Sequence, residues 1–80
     1  MTQEEHVTPT TLGDALPREM ARVRDEVMPH YLALRGVPGV NVEFALAMMR
    51  ADLDAAAKAM AERDVVEMLR VYKSLKETEA

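Results

Sequence analysis

FALAMMRADLDAAAKAMA, residues 44–61, decides the fold. With Val42 just before it, Leu46, Met49, Leu53, Ala56 and Met60 recur at steps of 4, 3, 4, 3 and 4. That is a heptad seam along one side of an α-helix. Arg50, Asp54, Lys58 and Glu62 alternate in sign at i,i+4 and mark the wet face. A second apolar stripe lies on the far side of that face: Phe44, Met48, Ala51, Ala55 and Ala59. Its alanines would let a neighbouring backbone come close, so these five residues form a candidate interface. A helix with two apolar stripes needs two neighbours, or one neighbour and a second copy. At about 100° per residue, Asp52 falls between the stripes, in the direction of the core.

Working outward, Asn41 is a suitable N-cap and Glu43 favours the positive helix end, so this helix spans about residues 42–62. VPGVN, residues 37–41, is a turn. Before it, Leu16, Met20, Val23, Val27, Tyr31 and Leu34 mark one face of a helix over about 15–35, with Gly36 as its stop. Pro29 interrupts that helix, because its ring displaces the bond to the Asp25 carbonyl, and a kink is expected around 25–29. After the middle helix, Asp64 and Glu67 make a near capping box for a third helix over about 65–77. Val65, Met68, Leu69, Tyr72 and Leu75 are its apolar face, and Arg70, Lys73 and Lys76 suit its C-terminal end. KETEA, residues 76–80, should fray. Residues 1–13 lack periodicity and read as a flexible arm. The expectation is an all-α protein: a three-helix bundle over residues 14–80, kinked at Pro29, whose short links favour antiparallel neighbours.

A lone carboxylate in the core direction must be paired, hydrogen-bonded or protonated. On the wheel of the first helix, Arg24 falls among Met20, Val27, Met28 and Tyr31 rather than with Arg18, Arg22 and Glu26. Arg24 and Asp52 are therefore a candidate buried ion pair between helices, fixing register more than stability. The other readings of Asp52 are a carboxylate in a crevice or dimer interface, or a chemical role.

With 80 residues and no cysteine, the chain relies on helix packing, on oligomerisation, or on both. A net charge of −4 disfavours sequence-independent nucleic-acid binding. The acidic, polar N-terminus MTQEEHVTPTTLGD is unlike a secretory signal, and no apolar run reaches the roughly 20 residues of a membrane span. A soluble, cytoplasmic protein is expected.

The sequence holds no constellation for catalysis, metal or cofactor. His6 and His30 have no ligand-spaced companions. Ser74, the only serine, has no histidine at fixed spacing. Gly13, Gly36 and Gly39 make no phosphate loop. The third helix opens with Asp64, Val65, Val66 and Glu67, which would repel phosphate at a recognition-helix N-terminus.

PREMARVRDEVMPHY (17–31) followed by EFALAMMRADLDAAAKAMAERDVVEMLRVYKSLKE (43–77) resembles small helical proteins of phages, prophages and neighbouring mobile elements. The resemblance rests on a charged first helix ending in P-x-Y, an alanine- and methionine-rich second helix and a D-V-V-x-M-L third helix. It implies an accessory protein acting through protein contacts and carries over no functional residue. The functional expectation is a non-enzymatic protein–protein interaction module, self-associating as a homodimer or binding a host protein. The alternative is a small nucleic-acid-associated regulator using Arg18, Arg22, Arg63, Arg70 and Lys73. A ligand carrier would need a pocket around Asp52, Tyr31 and Tyr72.

Overall fold

Three helical segments and no strand make up residues 9–79, the part of the chain that the computed structural model describes. The first segment is continuous but not uniform. It comprises α1 (Pro9–Arg22), a π-helical segment (Val23–Val27) and α2 (Met28–Ala33). The others are α3 (Val42–Glu62) and α4 (Val65–Lys76).

The first helix starts earlier than its sequence suggests. Pro9 sits in the first turn, where a missing N–H costs nothing, and Leu12 continues the Leu16 seam one turn upstream. Leu12 is 1% exposed and belongs to the core. The arm expected over 1–13 is thus corrected at its end, since 9–13 are helical; residues 1–8 lie outside the described residues. Thr10, Thr11 and Gly13 are weak helix formers, which hid this turn. Burying one leucine, worth about 1.5–3 kcal/mol, offsets their combined propensity cost of about 2 kcal/mol.

Around residues 25–29, where the sequence predicts a kink, the α-helical pattern gives way to wider turns: the Met28 N–H donates to the Val23 carbonyl. Pro29 has no N–H, and in a regular α-helix its ring would collide with the Asp25 carbonyl. A π-helical turn ahead of it removes that collision while keeping the helix going. Val23 and Val27 are both buried across it, whereas α2 contributes no fully buried side chain.

The turn from α2 to α3 uses two glycines with left-handed backbone, Gly36 at φ 91° and Gly39 at φ 84°. Pro38-Gly39 sit centrally in a turn closed by the Val40 N–H on the Val37 carbonyl at 3.2 Å, the residue pair that a type II turn favours. The Asn41 side chain accepts from the Phe44 N–H at 3.2 Å and caps α3 as expected. Arg63 and Asp64 connect α3 to α4. The Asp64 side chain caps α4 by accepting from the Glu67 N–H at 3.2 Å. The capping box is only half made, because the Glu67 carboxylate turns to Arg70 instead of back to the cap. That bond holds the Glu67 carboxyl below its ordinary value.

Arg63 ends α3 in the left-handed conformation, φ 55° and ψ 37°. For a residue with a Cβ this costs about 1–2 kcal/mol, partly offset on replacement by the extra freedom glycine gives the unfolded chain. Arg63→Gly should therefore raise stability by up to about 1 kcal/mol, read as a higher denaturation midpoint at unchanged m-value.

The core lies among α1, the π segment, α3 and α4. Leu16, Val23, Met49, Ala56, Val71 and Leu75 are buried there. Val42 and Leu46 are also buried, near the start of α3. The heptad seam is thus the inner side of α3, with Leu53 and Met60 half-buried on its flank.

Candidate functional site

The seam leaves Phe44 and Met48 on the outside. Phe44 is 65% exposed and Met48 53% exposed. Ala51, one further turn along the same face, is exposed too. The candidate stripe is therefore split. Ala55 is half-buried against the core and Ala59 is 2% exposed inside it, so these two serve intramolecular packing and drop out of the candidate interface. The short α3–α4 link sets α4 beside the C-terminal half of α3, whereas on the N-terminal half the Phe44–Met48 face stays uncovered although Val42 and Leu46 are buried on another side. Leu32, Val37 and Val40 are further exposed apolar residues on the segment leading into α3.

Asp52 lies one turn beyond Met48. It is half-buried, and Ser74 on α4 donates its hydroxyl to Asp52 Oδ2 at 2.7 Å. The expected partner, Arg24, is elsewhere. Its guanidinium is exposed and holds its neighbour Asp25 through Nε and Nη2 at 2.9 and 3.1 Å. That bond keeps the Asp25 carboxyl below the usual carboxylate range. The Arg24–Asp52 pair is thus replaced by two separate contacts. A physical reason is that Arg24, exposed on the π segment, reaches Asp25 on the same segment while staying hydrated, whereas burial beside Asp52 would cost the desolvation of a guanidinium.

Asp52 and Ser74 form the inner part of a cleft of ≈ 340 Å³. Tyr31, Ala45, Met48 and Met49 make its apolar walls, and Glu77, Thr78 and Glu79 its rim. Of the three residues expected around a pocket, Asp52 and Tyr31 line it; Tyr72 is buried in the core, with the Lys76 ammonium 5.6 Å from its ring centroid.

The rim is held in place over 77–79, where fraying was expected over 76–80; Ala80 lies outside the described residues. Arg22 Nη2 donates to the Leu75 carbonyl at 2.8 Å and to the Thr78 carbonyl at 2.9 Å. Its Nε donates to Glu19 at 3.0 Å. The Tyr31 hydroxyl donates to the Glu79 carbonyl at 3.0 Å, and the Thr78 hydroxyl to the Ser74 carbonyl at 3.0 Å. A cation on the last carbonyls of a helix satisfies acceptors with no intrahelical partner and suits the dipole. Sequence reasoning grouped Arg22 with Arg18 and Glu26, apart from the apolar face, and gave Ser74 no partner. Its missed signal is modest: each stands next to a core residue, Val23 or Leu75.

Chemically the cleft offers carboxylates, hydroxyls and a thioether wall. Ser74 spends its proton on Asp52, and no histidine lines the cleft to activate it. Among the described residues no group of three potential ligands could hold a metal ion. None of the helices described is long and apolar enough to cross a membrane. The five cations of the nucleic-acid alternative are partly committed elsewhere, Arg22 to backbone carbonyls and Arg70 to Glu67. No protein-family model, curated protein or solved structure matches the chain.

Proposed function

We propose that the chain is a non-enzymatic protein–protein interaction module: a small helical bundle that docks through the Phe44–Met48–Ala51 edge of α3. The supporting observation is Phe44, the only phenylalanine, left 65% exposed on a helix with a well-filled inner seam. Aromatic side chains and methionine are favoured in interface cores, and methionine adapts to varied partners. Phe44, Met48 and Ala51 stand at i, i+4 and i+7, the spacing that presents one face to a partner helix. Action on another protein is also what the resemblance to phage and prophage accessory proteins implies.

Phe44→Asp is the test. The side chain is exposed, so stability should change by no more than about 0.5 kcal/mol. Association should be lost, whether homotypic in light scattering or heterotypic in affinity capture. Association retained by the variant moves the docking face elsewhere. No association in either assay removes the reading.

A further inference from the structure

Two clefts of similar size flank α3, and their charge differs. The one at the C-terminal end, ≈ 320 Å³, is lined by Glu62, Asp64 and Glu67 together with the cation Lys58. The one beside Met48 is lined by Asp52, Glu77 and Glu79, with no basic residue among its lining. Three acids thus line each cleft, but a lysine accompanies them at one end of the helix and no basic side chain lines the other, beside the exposed Phe44–Met48 ridge.

We propose that this combined surface receives a basic amphipathic helix of another protein. Its apolar stripe packs on Phe44, Met48 and Ala51, and one lysine or arginine enters the cleft beside Asp52, between α3 and the Glu77–Glu79 rim. This rests on the docking face proposed above and adds the partner's chemistry. Met48 and Asp52 are one helical turn apart, so a partner residue one turn from an apolar anchor reaches the carboxylate. Ser74 orients that carboxylate, and the apolar walls lower the local dielectric, which strengthens an ion pair made there.

Charge also selects against other occupants. A second copy docked by a two-fold axis near Met48 would bring Asp52, Glu77 and Glu79 of both copies together, and juxtaposed like charges oppose docking. Nucleic acid and anionic membrane surfaces are repelled by the same carboxylates.

The probe is an amidated 18-residue alanine/glutamine helix with leucines at i, i+4 and i+7 and two lysines flanking that stripe. Its companions carry glutamine or glutamate in place of lysine. Fluorescence anisotropy against the wild-type chain should rank them lysine, glutamine, glutamate, with at least about a tenfold step from lysine to glutamine, equal to ~1.4 kcal/mol. The triple variant D52N/E77Q/E79Q should erase that step. E26Q/D54N/E62Q removes the same number of charges elsewhere and should preserve it. Equal binding of the lysine and glutamine peptides, both lost in Phe44→Asp, overturns the basic partner and leaves the docking face standing. Binding indifferent to Phe44→Asp, or none at hundreds of micromolar, overturns both. A homodimer that Phe44→Asp dissolves and the triple variant tightens seats a second copy and overturns the basic partner.

Discussion

Leu12→Ala should destabilise the protein by about 2–4 kcal/mol, as expected for removing a fully buried leucine side chain. Leu12 is 1% exposed and packs in the same cluster as Leu16 and Val23. A domain of this length has a total stability on the order of 4–12 kcal/mol, so one truncation removes a large part of it. The midpoint of thermal unfolding should fall by roughly 8–32 °C, at about 4–8 °C per kcal/mol. Circular dichroism melting checks it, with Leu34→Ala, at a half-buried site beside the turn, as a milder comparison. The experiment separates two descriptions of the chain. If residues 9–13 belonged to a solvated arm, the substitution would change the melt by less than about 0.5 kcal/mol.

Arg22→Met should cost about 2–3 kcal/mol, from two charge-assisted bonds to the Leu75 and Thr78 carbonyls. Methionine keeps most of the aliphatic stem, so the loss reports the guanidinium rather than packing. Arg22→Lys should recover only part of it, because an ammonium lacks the planar fork that reaches both carbonyls. Hydrogen exchange should localise the effect. Amides over 76–79 should lose protection in Arg22→Met, while those of α3 around Met49 change only as global stability does. Unchanged exchange over 76–79 would show that Tyr31 and the Thr78–Ser74 bond hold the rim by themselves.

The helical class and the α3 limits were legible because they rest on strong local signals. The Leu46–Met49–Ala56 seam, the Asn41 cap and the glycine turn each act within a few residues of sequence. The features that failed are those in which local and tertiary terms compete. Leu12 sits in a weakly helical context and is recruited by contacts with distant residues. Arg24 was placed by wheel angle alone, which does not weigh the cost of desolvating a guanidinium against an exposed partner next to it. The carboxylate that sequence singled out, Asp52, does occupy an unusual position, half-buried at a cleft. Its partner is a neutral hydroxyl on α4 rather than a cation on the first helix. Arg22 was the hardest to foresee: its acceptors are backbone carbonyls 53 and 56 positions away, and carbonyls carry no signature in an amino-acid sequence.

That separation sets a clock. At a synthesis rate of about 5–20 residues per second, roughly 3–11 s pass between the making of Arg22 and the arrival of Thr78, 56 positions on. Until α4 is made, Leu12, Leu16 and Val23 lack part of the cluster that buries them, including Val71 and Leu75. The nascent chain can pair α3 with α2 and with part of α1, but the more extensive α1–α4 packing waits for the last helix, so the first helix made is among the last to be fully housed.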